Sequence, residues 1–288
     1  MSERPPLSPL HAEELAAQLP PLLVEAERVA ATVTQGTHGR RRTGSGDNFW
    51  QFRRYQQGDA ATSIDWRQSA KSEPLYIRET EWAAAQSVWL WADPSASMRW
   101  RSRDGLPRKY DRAALLALAL AALLVRGGER VSLLGSTNPP SSGRPALLRL
   151  AATMAKQTGD AGLPDVPMPR SSHAVLISDF LLPLDAVDTA LRRWAGMGVR
   201  GHVLHLLDPA EESLPYQGRV RFSGLEGEGE LLVAQAEGLR DAYAQRLANH
   251  RAGLAAIARS VGWSFAVHHT NTPPRTALIA LHSALARP

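Results

Sequence analysis

From residue 87 onward, apolar positions fall into two alternating rhythms. Ser87–Asp93, Arg130–Leu134, Ala174–Asp179, His202–Asp208 and Trp263–His268 are short apolar runs with the length and composition of buried strands. Between and after them, Asp111–Arg126, Ala146–Gln157, Leu184–Ala195, Glu237–Val261 and Arg275–Leu285 repeat apolar residues at helical spacing. Strand–helix alternation of this kind predicts an α/β fold with a mostly parallel sheet and helices on both faces. Gly127-Gly128 closes the first of these helices, and Tyr216–Val233 reads as an inserted hairpin.

The first third follows another pattern. Residues 8–35 repeat Leu15, Leu19, Leu22, Leu23, Val29 and Val33 at helical spacing, with a break at Pro20-Pro21. Residues 48–80 alternate aromatic and polar positions in short extended pieces, with turns at Gly58-Asp59 and Glu73-Pro74. The expected organisation is therefore a helical arm over 1–35, a β-rich segment over 36–82, and an α/β domain over 83–288 carrying the hairpin near 216–233. Tyr55, Asp59, Asp65 and Trp66 are expected to hold the β-rich segment against that domain. Asp65 is placed to cap a turn or to pair with Arg53 or Arg54. Trp66 is expected to be a large buried aromatic.

Two strand ends carry candidate chemistry. Asp93, Ser95 and Ser97 follow the run Ser87–Ala92 at alternate positions, offering one carboxylate and two hydroxyls. Asp179 follows Ala174–Ser178. In a parallel sheet the carboxyl ends of the strands gather at one edge, where ligand sites form. An all-oxygen set suits a hard divalent cation such as magnesium or manganese. Asp and Ser after a strand also serve as turn-formers and helix caps, and that reading needs no ligand.

Composition narrows the field. The 288 residues are 44% hydrophobic and 21% charged, ordinary for a folded globular chain. With no cysteine, disulfides and thiolate metal sites are excluded. The net charge of +5 is concentrated in Arg40–Arg42, Arg53, Arg54, Arg67, Lys71 and Arg78, then Arg99, Arg101, Arg103, Arg108 and Lys109. Such clusters suit an acidic partner or form a solvated face. The longest apolar run, Ala113–Val125, falls short of the ~20 residues of a membrane span and predicts a buried helix. The opening residues lack the apolar core of a secretory signal, so a cytoplasmic location is expected.

Three segments together resemble one bacterial family. The order "GSGDNFWQFRRYQQGDAATSIDWRQSAKSEPLYIRETE" (44–81), "VWLWADPSASM" (88–98) and "VLISDF" (175–180) is similar to the family called domain of unknown function 58. The likeness runs from about residue 36 to 208 and continues more weakly through Leu239–Ala258 and Ser264–Thr270. It implies a von Willebrand factor A-like (Rossmann-like) domain with a metal-ion-dependent adhesion site. Asp93, Ser95 and Ser97 match the first element of that site, and Asp179 matches its last. The Thr that completes the pattern has no match: the corresponding loop holds Ser141 and Ser142, flanked by Thr137 and Thr153. The family likeness also implies a MoxR-type AAA ATPase as partner, with adaptor work on client proteins.

Competing chemistries lack residues they need. A phosphoryl-transfer site built on Asp93 requires a second carboxylate as general acid where Ser95 stands. No Gly-x-Ser-x-Gly elbow is present for a serine hydrolase. Gly196–Gly201 matches a dinucleotide fingerprint, but it follows a helix and precedes a strand, so it reads as a helix-ending turn. His268 and His269, adjacent in a strand, face opposite sides and read as packing residues, as do His202 and His205. Trp50, Trp66, Trp82, Trp89 and Trp91 beside arginines leave a nucleic-acid binder as a third reading. The expected function is a non-enzymatic interaction module, with a metal-dependent hydrolase using Asp93 as the alternative. Asp93→Ala is expected to leave the fold nearly intact.

Overall fold

Five parallel strands form the central sheet: β3 (Ser87–Ala92), β4 (Arg130–Leu133), β5 (His173–Ser178), β6 (Arg200–Leu207) and β9 (Ser264–His269). They lie in the order β4-β3-β5-β6-β9, and each neighbouring pair is parallel. The computed structural model describes residues 22–33, 49–56, 64–71, 74–80, 85–159 and 162–285. The strands are apolar on both sides because helices cover both faces. Leu90, Ala92, Val175, Ile177, Leu204 and Leu206 point into one core. Trp91, Ala174, Leu176 and Val203 point into the other. This is the expected Rossmann-like α/β architecture.

The first core is filled by α3 (Lys109–Arg126), α4 (Arg144–Lys156) and α8 (Pro274–Leu285), together with a helix over 22–33, α1. Every residue from Ala113 to Leu124 in α3 is buried. That helix is enclosed all round, as its unbroken apolar run required. Leu23, Ala26, Ala30 and Val33 of α1 are buried in the same core, so this part of the expected arm packs into the α/β body. The Pro20-Pro21 break lies outside the described residues. The second core is covered by α5 (Leu184–Gly196) and α7 (Arg240–Ser260). Among the described residues, no helix is long and apolar enough to cross a membrane.

Preceding the sheet, β1 (Phe49–Arg54) pairs antiparallel with β2 (Tyr76–Thr80), and a four-residue helix, α2 (Trp66–Ser69), lies between them. Asp65 caps α2 by accepting a hydrogen bond from the Gln68 amide at 2.9 Å, as the sequence allowed. Trp66 departs from expectation. It is 65% exposed on the first turn of α2 and forms no part of a buried anchor. The extended alternation around it suggested a strand; a short capped helix instead turns the indole outward. Asp59, Trp82 and the turn at Gly58-Asp59 lie outside the described residues.

The insertion after β6 is the expected hairpin, β7 (Val220–Ser223) paired antiparallel with β8 (Glu230–Val233). It follows a five-residue helix, α6 (Pro209–Ser213). The glycine pattern 196–201 ends α5 as expected, with Gly198 at φ +77. Gly201 has a packing reason: a Cβ there would lie 2.1 Å from the Trp263 ring. That ring stacks on Trp194 with centroids 6.2 Å apart. His268 and His269 face opposite ways: His268 meets Arg112 at 3.2 Å, and His269 meets Glu212 at 2.5 Å.

Two expectations follow. Gly201→Ala forces Trp263 off its stack and should cost about 1–3 kcal/mol by chemical denaturation. Burial lowers His202, His205 and His268 from the ordinary imidazole value to about 4, so all three are neutral in the fold. The unfolded chain binds protons at these sites from about pH 6.5 downward. Stability is therefore complete above about pH 6.5 and falls as pH drops towards about 4, by up to about 1.4 kcal/mol per pH unit per histidine. Burial raises the Asp93 carboxyl and offsets part of this on the acid side. A melting temperature that holds constant from pH 7 to pH 5 would contradict the assignment.

Candidate functional site

The carboxyl ends of β3, β5 and β6 each deliver an aspartate to the same edge of the sheet. They are Asp93, Asp179 and Asp208, and all three are buried. Parallel pairing aligns these ends, since Ala92 lies beside Ile177 and Ser178 beside His205. Asp93 and Asp179 are two of the residues expected there. Asp208, which the apolar run His202–Leu207 also delivers, joins them.

Asp93 organises its own loop. Its Oδ1 accepts from the Ser95 amide at 2.9 Å, and its Oδ2 accepts from the Ser178 hydroxyl at 2.5 Å. Ser178 Oγ in turn accepts from the Phe180 amide at 2.8 Å, so one hydroxyl ties the β3 and β5 loops together. Burial raises the Asp93 carboxyl above its ordinary value, while the bonds from Ser178 and Ser95 pull it back down. Because Asp93 is 2% exposed and doubly bonded, Asp93→Ala cannot be as mild as its place at a strand end suggested. It would leave the Ser178 hydroxyl and Ser95 amide unpaired, each costing about 1–3 kcal/mol. Asp93→Asn removes the charge and keeps one acceptor for the Ser95 amide, its NH2 facing the Ser178 hydroxyl, which can turn to accept.

The Ser95 and Ser97 hydroxyls lie 3.2 Å apart. At that separation the two hydroxyls are within hydrogen-bond reach of each other, in the loop that Asp93 organises. Asp179 is committed elsewhere. Its Oδ2 accepts from Lys109 Nζ at 2.7 Å, and Lys109 also pairs with Glu211. The Lys109 side chain is 1% exposed. Burial opposes its charge, but Asp179 and Glu211 together outweigh that and hold the ammonium above its ordinary value. Of the four expected ligands, Ser95 and Ser97 meet in the Asp93 loop, while Asp179, near enough to help raise the Asp93 carboxyl, is paired with Lys109. Among the described residues, no cluster of three or more His, Asp or Glu is arranged to hold a metal.

Two of the hydroxyls considered for the missing Thr, those of Ser141 and Thr153, are engaged elsewhere. Ser141 bridges the backbone of Val131, which is level with Val88, about 16 Å down the sheet from Asp93 at ~3.3 Å per residue. Its hydroxyl accepts from Arg149 at 2.7 Å. Thr153 bonds the Arg149 carbonyl within its own helix.

Neighbouring segments hold the edge in place. Asp208 accepts from the Ser102 amide at 3.1 Å and from the Ala210 amide at 2.9 Å, tying the loop after Ser97 to β6. Glu211 closes a capping box with Asp208. Phe180 adopts φ +48, unusual for a bulky residue. It is held there by Ser178 on its amide, His250 on its carbonyl at 2.8 Å, and burial of its ring against Trp91. From the hairpin, Glu226 Oε1 accepts from the Ser97 amide at 3.1 Å.

The family described as "Protein of unknown function DUF58" matches residues 51–253. Uncharacterized proteins of Mycobacterium bovis and Mycobacterium tuberculosis are each 30% identical over 268 residues, covering 86% of this chain and 83% of the relative. Among solved structures, the conserved hypothetical protein BatB from Bacteroides thetaiotaomicron aligns with TM-score 0.43 and 16% identity, over 70% of this chain and 98% of its own. An aerotolerance-related membrane protein from Bacteroides fragilis aligns with TM-score 0.45 and 16% identity, over 70% and 99%.

Lys109→Met should lower stability by about 3–5 kcal/mol, because it leaves Asp179 and Glu211 buried without their counter-charge. Adding Asp179→Asn should recover part of that loss in urea unfolding. Strict additivity of the two substitutions would show that the ammonium does not couple to Asp179.

Proposed function

The chain belongs to the DUF58 family, and we propose that it is a non-enzymatic adaptor that docks other proteins at the carboxyl edge of its sheet. In this reading Asp93, Ser95 and Ser97 hold magnesium or manganese, with Asp179 shaping the adjoining loop through Lys109. A MoxR-type AAA ATPase is the proposed partner, acting with this chain on client proteins in the cytoplasm. The observation that carries the reading is the convergence of the Ser95 and Ser97 hydroxyls beside the Asp93 carboxylate.

The same residues weigh against the hydrolytic alternative. A phosphoryl-transfer site on Asp93 needs a second carboxylate as general acid, and Ser95 stands where it would be. Lys109, the nearby ammonium, is locked between two carboxylates and is poorly placed to give up a proton. A bound ion would supply a hard positive charge at the loop. The chain's residues would supply its oxygen cradle and the surrounding surface.

Calorimetry should detect magnesium or manganese binding at millimolar concentration in the wild type, weakened at least about tenfold in Asp93→Asn. Capture of a MoxR-type ATPase should weaken on chelation and in the same variant. Magnesium-dependent hydrolysis of a phosphoester by the purified protein, abolished by Asp93→Asn, would overturn the adaptor reading.

A further inference from the structure

The hairpin inserted after β6 does not extend the sheet. Among the described residues, its two four-residue strands pair only with each other. Two-stranded hairpins of this size are marginal on their own. From Ser223 to Leu232 every residue is exposed except one, Glu226, which is half-buried. Its carboxylate is the group that accepts from the buried Ser97 amide. The tip is shaped for that contact: the Glu226 amide donates to the Glu228 carboxylate at 2.9 Å, and a Cβ at Gly224 would lie 2.4 Å from the same carboxylate. Gly227 and Gly229 take φ +99 and +87, which frees the turn to present Glu226 inward.

Charge complements the geometry. The tip carries Glu226, Glu228 and Glu230 within five residues. The loop that follows Ser97 carries Arg99, Arg101, Arg103 and Arg108, and the last three are exposed. An acidic hairpin tip thus reaches the start of a basic loop, seated on a buried backbone donor. Leu225, Leu231 and Leu232 lie exposed on the hairpin beside these acids.

We propose that the hairpin is a removable plug, and that the surface beneath it receives an acidic peptide segment of a partner protein in place of Glu226. The partner's carboxylate takes the Ser97 amide, and further acids meet the arginines of the 99–108 loop. The inference rests on the reading of this edge as a protein-docking surface. It does not depend on a bound ion, since the amide and the arginines supply the attraction.

The test uses the full chain and a fluorescent peptide of residues 222–232, with a second peptide in which its three glutamates are glutamines. Titrations run in chelator, so that failure of ion binding and failure of the plug are separate results. The acidic peptide should bind Glu226→Ala at least about tenfold more tightly than wild type, and binding should weaken with salt. Exchange of the Ser97 amide with deuterium should be slow in wild type, fast in Glu226→Ala, and slow again with peptide bound. Unchanged Ser97 exchange in Glu226→Ala would overturn the proposal, as would equal binding of the glutamine peptide.

Discussion

A buried ammonium sets the terms for the carboxyl edge of this sheet. Parallel strands β3, β5 and β6 all end in aspartate, and α6 adds Glu211, so acid accumulates where water is scarce. Isolated buried carboxylates are costly unless paired or hydrogen-bonded. Lys109, at the first turn of α3, reaches Asp179 and Glu211 together and supplies the missing charge from within the chain. Asp93 and Asp208 are satisfied differently, by backbone amides and a serine hydroxyl. The result is a buried edge in which Asp179 is paired with Lys109 and Asp93 organises the loop that carries Ser95 and Ser97. Helix α3 can place its lysine so firmly because its next turns are enclosed on every side.

Much of this was legible in the chain. Strand ends are marked by where apolar runs stop, so Asp93, Ser95, Ser97 and Asp179 could be placed at one edge before any coordinates were known. The parallel order and both helical layers followed from the same rhythm. What periodicity could not express were pairings across long separations. Lys109 meets Asp179 across 70 residues and Ser97 meets Glu226 across 129. Lys109 looked like one more member of a basic cluster, and only its position just before an all-apolar helix hinted at burial. Glu211 and Asp208 lay in a Leu-Asp-Pro-Ala-Glu sequence whose capping-box spacing was the available signal. Trp66 misled because aromatic size suggests burial, whereas Asp65 starts a helix there and directs the ring to solvent.

The two loops flanking the site differ in how they are restrained. The 178–182 turn is held by Ser178, by His250 from α7 and by the buried Phe180 ring, so its positive φ is sustained from three directions. Asp179, the residue before Phe180, pairs with Lys109. The hairpin tip has far less behind it: a Glu226 carboxylate on one amide, internal glycines, and two short exposed strands. The turn at 178–182 is thus held by several contacts, whereas the hairpin tip meets the edge through one hydrogen bond.

That contrast bears on which charge can move. Lys109 is enclosed and doubly paired, so displacing it means opening the core end of α3. Glu226 gives up one hydrogen bond and regains water on an otherwise exposed tip, a net change of about 1–3 kcal/mol for a bond to a charged group. An incoming carboxylate that makes the same bond recovers that amount, and meeting the arginines beyond Ser97 adds to it. The paired ammonium therefore stabilises the acidic edge, and the single Glu226–Ser97 hydrogen bond is the contact that the proposed acidic peptide would replace.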